Sequence, residues 1–241
     1  MEKNENGYVS VVGPALIQPI FDLVEKLESM EPVPPNEVKT GQRENGYSLA
    51  IIALGALLFE SALNRTAYVR QDNEEDHLSA PDYFKKISPD TNAAAEIEEV
   101  FAVRNVIAHN HLWEATITWT EEEDGVKFAE PPKLHPGYGD KRHTRIIDLE
   151  TRKSRILGIN MFPPRIWRRD AYIVLKTIAK AIDVIETMDR RYFCLSPHHF
   201  RFQKRTVTFR EVTDLLSIPK DVELFGALFP SNWRCSVPVK P

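Results

Sequence analysis

The sequence predicts a mainly α-helical fold, an up-and-down helical bundle with an inserted β-hairpin and an irregular C-terminal extension. Three observations carry that expectation. Four long segments repeat apolar residues at helical spacing, two β-prone runs flank an Asp124-Gly125 pair, and residues 190–241 mix basic and aromatic side chains without a period. The expected organisation is a bundle over residues 1–189, with the hairpin inserted at about 113–130, and a basic, aromatic extension over 190–241 packed on it.

The first helix is expected over residues 14–30. Ile20, Phe21, Leu23, Val24 and Leu27 give it an apolar face, and Pro19 is accommodated in its opening turn. Residues 32–46, with Pro32, Pro34, Pro35, Asn45 and Gly46, read as a linker. The second helix, 47–70, is apolar almost all round from Leu49 to Leu58, as suits a central, buried element. Residues 71–90 are acidic and turn-rich, with Pro81 and Pro89 as breakers, and read as an exposed loop. The third helix starts in the Asp90/Thr91/Asn92 cap region and runs from Ala93 to about His111. Ala115–Thr120 and Val126–Ala129 form the hairpin around Glu121–Gly125. Residues 131–165 are Pro-, Gly- and Arg-rich connections, with Thr144–Leu149 a candidate third strand. A fourth helix spans about 168–189, with Ala171, Val174, Leu175, Ile178, Ile182, Ile185 and Met188 at helical spacing. Beyond it only a short helix near 210–216 is expected.

The chain has 241 residues, 42% of them hydrophobic and 27% charged, which is ordinary for a soluble globular protein and argues against wholesale disorder. Cys194 and Cys235 are its only cysteines, too few for a disulfide framework. The polar start, Met1–Asn6, lacks the apolar core of a signal peptide, and no unbroken apolar run reaches the roughly 18 residues of a membrane span. These features fit a soluble, cytoplasmic protein with no membrane partner. The net charge of −4 conceals an asymmetry: residues 1–140 carry 25 acidic and 11 basic side chains, whereas residues 141–241 carry 10 and 20. A basic half suits a polyanion, and an acidic half can shield it or attract it across a dimer.

The most informative stretch is Arg104-Asn105-Val106-Ile107-Ala108-His109, near the end of the third helix. On an ideal helix Ile97, Val100, Val103, Ile107 and Ala108 cover one apolar arc, while Glu98, Asn105 and His109 share the polar side. Arg104 and His111 fall inside the apolar arc. A guanidinium cannot stay unpaired in a dry core, so Arg104 has to reach a carboxylate, a cleft or a subunit interface. Glu60, a charge on the apolar second helix, is a reasonable partner.

This arginine, followed by a polar residue and then by a histidine five positions on, resembles the Arg-x4-His signature of the HEPN superfamily of small α-helical domains. The resemblance implies a metal-independent endoribonuclease of toxin or antiviral-defence type. It further implies no cofactor, an RNA substrate, a homodimer with the motif at its interface, and an antitoxin or defence-system partner protein. The chemistry suits the residue types. Arg104 would bind the scissile phosphate, being a fork of fixed donors, and His109 would move protons at the 2′-hydroxyl and the leaving oxygen. Asn105 would orient the histidine or the phosphate, and Glu98 would hold the imidazole or pair with an arginine. Arg104 and His109 lie about 140° apart on one helix, so either the helix loosens before His109 or two copies line one cleft. His111, on the arc of Arg104, is the competing histidine; it stands where toxins regulated by nucleotidyltransferases often carry a tyrosine. The alternative is a non-catalytic HEPN-like module that binds RNA or protein in a larger assembly.

Other patterns carry less. Arg70…His77 and Arg191…His198 match the spacing loosely but lack the following Asn, and a zinc site from His198-His199 with His109 or His111 has no supporting cysteines. No phosphate-cradling glycine loop is present. In the extension, Arg191, Arg201, Lys204 and Arg205 interleave with Tyr192, Phe193, Phe200, Phe202 and Phe209. Cations to hold phosphates and rings to stack bases suit single-stranded RNA; a packed aromatic tail with arginines at its rim is the other reading.

Overall fold

A computed structural model describes residues 12–32, 43–72, 78–89, 92–109, 113–114, 117–120, 125–128, 133–135, 141–188, 195 and 198–220. Among them the fold is mainly helical, with small antiparallel ladders set between the helices. The helices are α1 (Gly13–Glu28), α2 (Arg43–Arg70), α3 (Ala80–Ile87), α4 (Ala93–His109), α5 (Lys141–Ile146), α6 (Arg168–Met188) and α7 (Phe209–Leu215).

The long helix α2 is the axis of the bundle, packed by α1, α4 and α6. Ile51, Ile52, Leu58 and Phe59 are fully buried on it. Its segment Glu44–Arg70 is long and apolar enough to cross a membrane, although half of its most apolar window is buried inside the bundle. Gly55 lets α6 approach: a Cβ there would lie 3.0 Å from Ile178 Cδ1 and 3.5 Å from Leu175 Cδ2. The start of α2 is pinned by a buried ion pair, in which Arg168 Nε donates to Glu44 Oε1 at 2.7 Å and Nη2 to Oε2 at 3.1 Å. The same Nη2 also donates to the Met30 carbonyl, which ties the end of α1 to α2 and α6.

Several expected boundaries move. Pro14, not Pro19, fills the opening turn of α1; Pro19 lies inside the helix, where it removes one backbone donor. Asn45 and Gly46 belong to the first turn of α2 rather than to a linker, and Asn45 Nδ2 donates to the carbonyls of Pro163 and Ile166. The expected exposed loop at 71–90 contains α3. Ser79 caps it by accepting from Asp82 N, Pro81 sits in its first turn, and Tyr83 and Phe84 are buried. Proline is tolerated there because the first helical N–H groups have no intrahelical acceptor to lose. Phe84 and Phe101 both pack edge-on to Phe59, with ring centroids 5.3 and 6.4 Å away.

The inserted hairpin is β2 (Ile117–Thr120) paired with β3 (Gly125–Phe128), in the register Ile117↔Phe128 and Thr120↔Gly125. A short outer ladder, β1 (Trp113–Glu114) with β4 (Lys133–Leu134), closes its base. The candidate strand at 144–149 is reduced to β5 (Ile147–Asp148), paired with β6 (Lys153–Ser154), because residues 141–146 form α5. The connection from β6 to α6 is held by buried carboxylates. Glu99 on α4 accepts from the N–H groups of Ile156 and Leu157, both at 2.8 Å, and Asp170 accepts from Asn160 and from Trp167 N.

The extension shares the main core. It adds a hairpin, β7 (Phe200–Phe202) with β8 (Arg205–Val207), that the sequence reading did not anticipate. Its two-residue turn, Gln203-Lys204, is left-handed at both positions (φ 47° and 62°), the geometry that matches strand twist. Phe200, Phe202 and Phe209 surround Phe21 of α1, with centroids 5.9, 5.6 and 6.2 Å away.

Candidate active site

Arg104 is the charge that the helical pattern placed badly. Ile97, Val100 and Val103 of the same helix are fully buried, so a cation emerging beside them needs a partner. Glu60 on α2 supplies it: Arg104 Nη2 donates to Glu60 Oε2 at 3.1 Å, which is the pairing expected from the sequence. Nη1 donates to Asn105 Oδ1 at 3.0 Å, and the guanidinium carbon lies 5.5 Å from the centroid of the Phe101 ring. Nε is buried and has no hydrogen-bond partner among the described residues. The side chain stays 27% exposed, so it sits at the edge of the core rather than within it.

That edge opens into a cleft of about 210 Å³ between α2, α4, α5 and residues 78–81. Its polar lining is Glu60, Asn64, Glu98, Arg104, Asn105 and His143. Phe101, Leu78, Pro81 and Ile146 supply apolar wall. Helical spacing explains the convergence. Glu98, Phe101, Ala102 and Asn105 recur at i, i+3, i+4 and i+7 on α4; Glu60 and Asn64 are one turn apart on α2; and His143 and Ile146 are one turn apart on α5. The short helix α5 is fastened by Arg145, whose Nη2 donates to Glu98 Oε1 at 2.5 Å while its carbonyl accepts from Arg155 Nε at 3.1 Å. The cleft is smaller than the roughly 300–1,000 Å³ of pockets that enclose a whole small molecule, so it suits a phosphate-sized group.

Of the expected site residues, Arg104, Asn105 and Glu98 come together in this cleft, but not all in the expected roles. Asn105 accepts from Arg104 instead of orienting a histidine, and Glu98 pairs with Arg145. His109 is exposed on the last residue of α4 and does not line the cleft. Because α4 runs as regular helix from Ala93 to His109, the loosening that could have swung His109 beside Arg104 does not occur. His111 lies outside the described residues. The histidine of the cleft is His143, in a segment read from the sequence as connection and strand. Its only sequence signal is the cluster Arg142-His143-Thr144-Arg145, which says nothing about where α5 packs. Asn64 was equally invisible, as one polar residue on a long apolar helix.

Arg201, Lys204 and Arg205 are exposed on the β7–β8 hairpin, while Arg191 lies outside the described residues. The hairpin docks on α1: Arg201 exchanges backbone hydrogen bonds with Gln18 at 2.9 and 3.0 Å, and Gln203 N donates to Glu25. These cations therefore ride on a different element from the walls of the cleft. Phe202 and Phe209 are buried, so the packed-tail reading holds for these rings and they offer no stacking platform. Among the described residues no three His, Cys, Asp or Glu side chains converge as a metal site. No protein-family model, curated protein or solved structure matches this chain.

Proposed function

We propose that this chain is a HEPN-like, metal-independent endoribonuclease of toxin or antiviral-defence type, with Arg104 as the residue that binds the scissile phosphate. One observation carries the reading: an arginine at the edge of a phosphate-sized cleft, oriented by Glu60, Asn105 and Phe101, with most of its five N–H donors uncommitted. Such a fork, held in place before substrate arrives, is what stabilises the extra negative charge of a phosphorane. The reaction is a transesterification. The 2′-oxygen bonds to phosphorus, the P–O5′ bond breaks, and the proton lost by the 2′-hydroxyl ends on the 5′-oxygen, so neither water nor a metal has to enter the balance. Leu57 shares a face of α2 with Glu60 and Asn64 and is 47% exposed, which supports a second copy packing beside the cleft.

The test is incubation of purified protein with total RNA or tRNA in EDTA. Cleavage is expected, together with its loss in Arg104→Ala. Cleavage that requires Mg²⁺, or that survives in Arg104→Ala, would overturn the reading. A second reading, a non-catalytic module that binds RNA or protein, is favoured by the two carboxylates, Glu60 and Glu98, that share the cleft with Arg104. It predicts RNA or partner binding without cutting.

A further inference from the structure

Metal-free cleavage of RNA needs, beside the arginine, a group that exchanges a proton near neutral pH, and histidine is the side chain suited to it. The sequence motif offers His109, but five residues of regular helix turn it about 140° away from Arg104. It ends on an exposed position outside the cleft. The cleft contains a different imidazole. His143 comes from α5, 39 residues further along the chain than Arg104, and lines the same space as Arg104, Asn105 and Asn64.

Its position is fixed from several sides. One turn along α5, Ile146 is buried, as is the following Ile147. Arg145 bonds to Glu98 of α4 at 2.5 Å and is itself held through its carbonyl by Arg155. An imidazole presented by a fastened helix keeps its place relative to Arg104, which catalysis by proton transfer requires.

We propose that His143, and not His109, is the proton-transferring residue of this site, and that Arg104 and His143 of one chain together form the seat for an RNA phosphodiester. This rests on the ribonuclease reading above. His143 takes the 2′-hydroxyl proton as the 2′-oxygen bonds to phosphorus, then returns it to the 5′-oxygen as the P–O5′ bond breaks. The imidazole ends in its starting state. Glu60 is the carboxylate that the substrate phosphate displaces from Arg104.

Two measurements test this, and they fail separately. Uridine 3′-monophosphate is titrated into the unmodified protein while the histidine ring resonances are followed by NMR. The His143 signals are expected to move, those of His109 to stay, and the His143 response to vanish in Arg104→Ala. Movement of His109 alone, or of neither ring, overturns the seat whether or not the protein cleaves RNA. In the cleavage assay in EDTA, His143→Gln is expected to lose about 100-fold or more, in the range typical of a removed general base. His109→Gln is expected to stay within a few-fold of the unmodified protein. Loss of cleavage in His109→Gln, or near-full activity in His143→Gln, overturns the proposal. If the unmodified protein cleaves no RNA, the ribonuclease reading fails, and the nucleotide titration still decides the seat.

Discussion

Two glutamate–arginine pairs of like chemistry sit at very different depths, and they should respond very differently to the same substitution. Glu44 and Arg168 are buried, with side-chain exposures of 1% and 7%, and both carboxylate oxygens accept from the guanidinium. In Glu44→Gln one oxygen becomes an NH2 group facing an N–H donor, and the guanidinium loses its counter-charge where water cannot replace it. Breaking a buried pair in this way costs about 3–5 kcal/mol. Glu60 and Arg104 are 36% and 27% exposed and share a single bond at 3.1 Å, which an amide oxygen can still accept. Solvent screening places that loss below about 1 kcal/mol. The assay is urea unfolding followed by circular dichroism. At a slope near 3 kcal/mol per molar, Glu44→Gln should lower the midpoint by about 1 M or more, with the slope unchanged. Similar midpoints for Glu44→Gln and Glu60→Gln, or a Glu44→Gln cost under about 1 kcal/mol, would refute the argument from depth. The contrast bears on function as well, since a pair that costs little to open is one whose arginine can exchange its carboxylate for a phosphate.

Other predictions follow from single contacts. Burial pushes the Asp170 carboxyl up to about 6, against the hydrogen bonds from Asn160 and Trp167 that favour its ionised form. A folded-state value above the unfolded value of about 3.9 means that this group's contribution to stability is full below about pH 4 and falls as pH rises through about 6. The stability deficit of Asp170→Asn should therefore be larger at about pH 4.5 than at about pH 7.5, as read from unfolding curves at both; a deficit that grows with pH would contradict the sign. Phe84→Ala should cost about 3–5 kcal/mol, as for any large buried ring, and a cost under about 1 kcal/mol would mean that α3 does not pack on Phe59. Gly55→Leu should cost about 1–3 kcal/mol by wedging α2 from α6, seen as a lowered melting temperature; an unchanged melting temperature would mean the helices are not in close approach there.

How much was legible from the chain can be judged element by element. α1, α2, α4 and α6 each carry their apolar residues at helical period, and a period is a local property, so their existence and approximate bounds followed from the sequence. The hairpin at 117–128 was equally local, two β-prone runs around a turn. α3 was missed because its two prolines, one at its start and one beyond its end, read as breakers, while its buried rings Tyr83 and Phe84 are only two residues. β7 and β8 were missed because their turn, Gln203-Lys204, lacks the glycine or asparagine that usually marks a left-handed pair.

The site divides along the same line. The helical wheel sufficed to single out Arg104, because a charge on an apolar arc is anomalous whatever packs against it, and it also pointed to Glu60 as the answering carboxylate. Which histidine shares its cleft was beyond the reach of any pattern. His109 is near Arg104 in sequence but about 140° away in rotation, and helix geometry overrides sequence proximity. His143 is remote in sequence, and only the docking of α5 on α4, through Arg145 and Glu98, sets it in the cleft of Arg104. Local periodicity determined the helices and the misplaced charge; the long-range packing of a six-residue helix decided which imidazole that charge meets.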